Sequence, residues 1–177
     1  MENNTGKVFL TSMRDRFKAI KSQGERTVHQ LSDADLLWQP NYETNSIAII
    51  IQHLNGSTIS RWTDLLTTDG EKESRKRDDE FVQPDSINRD ELMVLWDEGW
   101  QCLFYALDSL KEDDLVKEIK IRGQKLTVID AINRQLAHYA YHVGQIVQIA
   151  KERLDAKWQT LSIARGESTN YTPTERD

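Results

Sequence analysis

The sequence predicts an all-α fold, a four-helix bundle with one long crossover connection. Three observations predict it. Four segments repeat apolar residues every three to four positions, the period of an amphipathic helix. Glycine and proline are scarce, with 8 Gly and 3 Pro in 177 residues, which favours long helices over turn-rich sheets. The single cysteine, Cys102, allows no internal disulfide and no thiolate cluster. Stability must then come from a hydrophobic core, which a chain of this length can bury. The length fits one domain over residues 1–177, with a C-terminal tail from about 158 to 177.

The first helix places Val8, Leu10, Met13, Phe17, Ile20 and Val28 on one stripe, with Arg14, Asp15, Lys18 and Lys21 opposite. It ends near His29 to Leu31. Ser32-Asp33 then caps a short turn through Leu36 and Leu37. Pro40 disfavours helix at Gln39 and marks a connection. The second helix starts after Asn45 or Ser46, both good N-caps, and carries Ile47, Ile50, Ile51, Leu54, Trp62, Leu65 and Leu66. The dense mixed-charge run Glu71 to Glu80 is read as a solvated loop in preference to a docking patch. A third helix spans Asn88 to Leu110 on a stripe of Leu92, Leu95, Trp96, Leu103 and Leu107, with Gly99 and Cys102 between.

From Leu115 to Leu126 the residues alternate imperfectly, and Gly123-Gln124 can turn the chain, so a short hairpin and an irregular loop both fit. Thr127 to Asp130 reads as a capping box with Asp in its last position. The fourth helix follows to about Leu154 and carries Ile132, Leu136, Tyr139, Val143, Ile146, Val147 and Ala150. The connection from Thr67 to Asn88 is long enough to cross the bundle.

Charge and segment composition exclude several classes. A net charge of −6 argues against binding nucleic acid or an anionic membrane. The first residues lack the basic and apolar regions of a secretory signal. The longest uncharged stretch, Thr44 to Ser60, is too polar to span a membrane. With the lone cysteine, these absences lead to a cytoplasmic expectation.

There are 4 histidines. His138 and His142 are spaced i, i+4, which puts two imidazoles on one helix face within reach of a single ion. His53 sits near the apolar side of the second helix. If it faces the fourth helix, three nitrogen ligands meet and one coordination position stays open, the catalytic pattern for zinc. A water or substrate thiol there loses its proton near neutral pH. An i, i+4 pair by itself also arises by chance, and a core histidine bonded to a neighbour is the ordinary alternative for His53. His29, at a helix C-terminus where a cation is favoured, is read as structural.

Other residues carry paired readings. Gly144 in mid-helix implies either close approach of a helix or ligand, or plain helix packing. Gln145 either orients a ligand imidazole or is a surface amide. Arg165 either binds a substrate carboxylate bidentately or is a surface arginine. Tyr139 and Tyr141 cannot both face the core. Cys102 reads as a buried inert thiol and not as a nucleophile.

The stretch His138-Tyr139-Ala140-Tyr141-His142-Val143-Gly144-Gln145-Ile146 resembles the H-x-x-x-H-x-G-Q-I element of the DinB/YfiT-like superfamily. Trp38-Gln39-Pro40, Ser46-Ile47 and Ile51-Gln52-His53-Leu54 resemble that family's entry to its second helix. Leu126-Thr127-Val128 onward resembles the start of its last bundle helix. The tail Trp158 to Ser168 is similar to that of an uncharacterised bacterial branch, with Ala164 where the branch has proline. The resemblance covers about residues 5–170. It implies a four-helix bundle with a crossover and a divalent metal on His53, His138 and His142. Zinc is the expected ion, with nickel, iron and manganese as alternatives. It further implies a homodimer and an activity on small molecules. The leading expectation is S-transfer from a low-molecular-weight thiol, such as bacillithiol, mycothiol or glutathione, to an electrophile. The alternatives are a metal-dependent hydrolase and a non-enzymatic, metal-stabilised, stress-associated binding module.

Overall fold

A computed structural model describes residues 4–172. It is mainly helical: α1 (Thr5–Val28), α2 (Asp33–Leu36), α3 (Ile47–Trp62), α4 (Arg89–Ser109) and α5 (Val128–Leu154), with a hairpin of β1 (Glu118–Ile121) and β2 (Gln124–Thr127). No helix among the described residues is long and apolar enough to cross a membrane.

Side-chain caps set the helix starts. Ser46 accepts from Ile49 N at 3.2 Å, and Asn88 and Glu91 cap each other reciprocally. Thr127 accepts from Asp130 N at 3.2 Å, while the Asp130 carboxylate accepts from the Thr127 hydroxyl at 2.9 Å. The shorter Asp side chain thus binds the cap side chain where a Glu would reach the cap backbone.

Two apolar residues leave the stripes expected of them. Val8 is exposed, because at about 100° per residue it falls about 180° around the helix from Phe17. Leu66 is exposed, because α3 stops at Trp62 and Asp64 turns the chain with φ 51°.

The helices share one apolar core. Its centre is aromatic. Tyr139 stacks on Trp100 with centroids 4.2 Å apart, and Phe17 meets Tyr139 edge-on at 6.1 Å. Gly24 admits α4 to α1, since a Cβ there would lie 2.6 Å from the Trp96 ring. Contacts fix the directions. His53 and Thr58 of α3 meet His138 and then Tyr139 and Gln135 of α5, so these two run antiparallel. Asn55 and Thr63 meet Leu95 and then Cys102 of α4, so α3 and α4 run parallel. The connection between α3 and α4 therefore returns along the helix length, as a crossover.

The hairpin forms, with Arg122 and Gly123 both at positive φ (55° and 71°), a two-residue turn whose twist matches the strands. Its turn is tied to the crossover. The Asp69 carboxylate accepts from Arg122 N, Gly123 N and Glu71 N, each at 2.8 Å. These backbone N–H bonds, Glu71's first and then Gly123's, hold the Asp69 carboxyl below the usual carboxylate range. Its contribution is present above the ordinary aspartate value and is lost as pH falls through the lowered one. Asp69→Ala should cost about 1 kcal/mol, a fall in Tm of about 2–4 °C. Thermal unfolding should show the gap from wild type closing in strong acid.

Candidate metal centre

Three imidazoles converge where α3 crosses α5. His53 Nε2 and His142 Nε2 each lie 3.1 Å from His138 Nε2, and the three donor atoms all lie within 4.8 Å of one another. His53 and His142 are buried and His138 is half-buried. The i, i+4 spacing on α5 supplies two of them, and antiparallel packing of α3 supplies the third.

Each outer imidazole is held from behind. His53 Nδ1 donates to Glu80 Oε2 at 2.9 Å, and His142 Nδ1 donates to Gln145 Oε1 at 2.8 Å. Both acceptors lack a proton to give, so both rings carry hydrogen on Nδ1, and the neutral form of each presents a bare lone pair on Nε2. The two lone pairs point at His138, whose own Nδ1 is buried without a partner among the described residues. A neutral His138 has one proton and cannot satisfy both neighbours and its own buried nitrogen. A cation at the common point satisfies all three Nε2 atoms. Imidazole nitrogens about 2.0–2.1 Å from a tetrahedral zinc are about 3.3 Å apart, close to the 3.1 Å seen here. The donor set therefore fits a divalent ion.

Burial first, and then the charges of His142, Arg61, His53 and Arg75, push His138 down to about 3. Burial, then His53, pushes His142 down to about 4, against the opposing pull of Gln145. Both rings are neutral at physiological pH, the form that ligates metal.

Glu80 comes from the mixed-charge run expected to be a solvated loop. The expectation fails at two of its residues. The Arg75 and Glu80 side chains are only 3% and 9% exposed, although Glu73, Lys76, Asp78 and Asp79 do face solvent. Arg75 grips Glu80 bidentately, Nε to Oε1 at 2.7 Å and Nη2 to Oε2 at 2.8 Å. Burial would raise the Glu80 carboxyl, but the bonds from Arg75 and His53 win and hold it below the usual range. Phe81 packs on the His53 ring with centroids 4.8 Å apart. Gly56 makes the room: a Cβ there would lie 2.3 Å from Glu80 Oε1. An unexplained mid-helix glycine one turn after a histidine was the available signal, and the charge run hid its partner.

Gln145 is at the site on His142 and donates from Nε2 to the Tyr141 hydroxyl at 3.2 Å. Tyr141 is exposed beside His142, while Tyr139 is buried in the core. Gly144 packs against no other helix: among the described residues nothing lies within 4 Å of a Cβ built on it. Arg165 is exposed and joins no triad contact. Its tail docks instead on the end of α1, through Gln159 to Gln30 and Leu161 to Arg26. His29 caps α1 by a 2.9 Å bond to Glu25 O. Cys102 is half-buried, and burial pushes its thiol up, the direction of an inert group. Residues 173–177 of the tail lie outside the described residues.

A family model described as "Protein of unknown function (DUF1572)" matches residues 4–167. No curated protein matches the chain.

Two outcomes follow. Helix propensity makes Gly56→Ala stabilising by about 1 kcal/mol. The 2.3 Å contact with Glu80 reverses the sign, so chemical denaturation should show a loss. In metal-free protein the folded His138 and His142 take up protons only at lower pH than the unfolded chain. Stability should therefore fall as pH drops from the ordinary histidine range towards 4. The fall should be shallower in His138→Gln, measured by the denaturation midpoint against pH.

Proposed function

The chain belongs to the DUF1572 family, and from that premise we propose that it is a metal-dependent enzyme of the DinB/YfiT-like type, a four-helix bundle holding one divalent ion. Zinc fits the three imidazole donors best. One observation carries the reading: three Nε2 atoms converge, and two of the rings are held in place by Nδ1 bonds to Glu80 and Gln145. The residue order that resembles the superfamily, from Trp38 to the His138–Ile146 element, supports the same assignment.

In this reading a bound cation supplies Lewis acidity, lowering the pKa of a thiol or a water. The chain does the rest. His53, His138 and His142 hold the ion and leave it open to a small molecule, since among the described residues no fourth His, Cys, Asp or Glu joins their cluster. Glu80 and Gln145 fix the ligand tautomers. Arg75 keeps Glu80 ionised. We assign the reaction as transfer of a low-molecular-weight thiol to an electrophile, with the thiol brought by a cosubstrate because Cys102 is not at the site.

Isothermal titration with zinc should show one ion per chain. His142→Ala should lose binding, and Glu80→Gln should weaken it about 10–100-fold. Equal binding by wild type and His142→Ala would remove the site. Holo-protein given an electrophile should turn over only when bacillithiol is added. Turnover without thiol would assign the hydrolase instead. A chelator that unfolds the protein, with no turnover under either condition, would assign the metal a purely structural part.

A further inference from the structure

A second cluster lies beside the triad and has no function in the reading above. Arg61 of α3 makes no hydrogen bond and no ion pair among the described residues, and its Nε is buried without a partner. The charges acting on it are mostly of its own sign. Burial first, then Arg75, Arg134 and Arg122, hold its guanidinium below the ordinary range, and only Glu71 opposes them.

The nearby carboxylates are already engaged. Glu80 is bound by Arg75, Glu71 by Arg75 and Arg122, and Asp69 by the backbone of the hairpin turn. Arg134 is exposed and is likewise unpaired among the described residues. A half-buried guanidinium set among three others is an expensive arrangement unless an anion completes it.

Its place in the fold relates it to the triad. Arg134 is one turn before His138 on the same face of α5, about 6 Å along the axis. Arg61 follows Thr58, and Thr58 meets Tyr139 and Gln135 across the α3–α5 seam. Both arginines therefore stand at one level of that seam, next to the level of the histidines. Arg61 is near enough for its charge to act on His138.

We propose that Arg61 and Arg134 form an anion-binding subsite that takes a carboxylate or phosphate group of the small molecule reacting at the triad. The guanidinium fork of Arg61 suits such a planar or tetrahedral oxyanion. The subsite's link to the reacting centre rests on the function proposed above, but the subsite itself does not need a metal to bind an anion.

Two arms test it. Purified protein is titrated calorimetrically, at fixed ionic strength, with inorganic phosphate, with succinate and with neutral succinamide. One or both anions should bind one per chain, and succinamide should not. Preference between phosphate and succinate identifies the group. Arg61→Gln should weaken binding at least ten-fold and Arg61→Lys less, while Arg165→Gln should match wild type. Without anion, Arg61→Gln should melt at or above the wild-type temperature, because it removes an uncompensated charge. Absence of binding by both anions, undiminished binding by Arg61→Gln, or a clear fall in its melting temperature overturns the subsite.

The second arm uses cobalt-loaded protein and the visible band of a bound thiol. 3-Mercaptopropionate should bind at least ten-fold tighter than 3-mercaptopropanol, and Arg61→Gln should erase the difference. Equal affinities overturn the placement beside the triad. A chain that takes up no cobalt refutes the metal reading alone, and the calorimetric arm still decides the subsite.

Discussion

The hydrogen bond from His53 to Glu80 joins the α3–α4 crossover to the helical core, and much of the site's geometry depends on it. The crossover must travel the length of parallel helices, and its sequence is too polar to be held there by burial. Polar bonds hold it instead, among them Ser60 to Gly70 and Lys72, Gln52 to Val82 and, at the triad, a buried carboxylate on a buried imidazole. That contact demands three accommodations. Arg75 is drawn in to neutralise Glu80, Gly56 gives up a side chain, and Phe81 covers the ring. Each is explained by its contact with the others.

The same contact organises the electrostatics. Fixing hydrogen on His53 Nδ1 sends its lone pair inward, and Gln145 does the same for His142. Two differently charged acceptors thus create one pattern. The anionic one stands on the crossover and the neutral one on α5, so the two sides of the triad differ in basicity. Around this, Arg75 and Arg122 are paired with Glu71 and Glu80, while Arg61 and Arg134 have no carboxylate partner among the described residues. The seam beside the triad therefore carries an excess of positive charge in a protein whose overall charge is −6, centred on Arg61, which has no partner among the described residues.

The helices were legible because their periods and caps are local. Ser46, Asn88 and Thr127 begin helices where the sequence places the starts. The exception at Val8 came from counting apolar residues without following the stripe around the helix. The i, i+4 pair was legible for the same reason, since helix geometry dictates it, and His53 was reached through spacing and resemblance together. Glu80 was not. Its run of charges looks like any solvated face, and only packing reveals that Arg75 and Glu80 turn inward. Arg61 was equally hidden, because an unpaired charge is defined by what surrounds it. Gly144 shows the converse: a mid-helix glycine invites a helix contact, and the described residues leave open space there.

The antiparallel seam of α3 and α5 also constrains the order of assembly. His53 and His138 are separated by 85 residues, so the triad closes a long loop and contributes nothing to the chain until that loop is shut. A growing chain exposes the apolar Ile47–Ile51 start of α3 well before α5 exists to cover the other face of that helix. During that interval His53 and Glu80 can find each other across only 27 residues. Their early pairing would leave a preformed half-site that waits for the last helix, so that completing the triad and completing the core become one late, cooperative event.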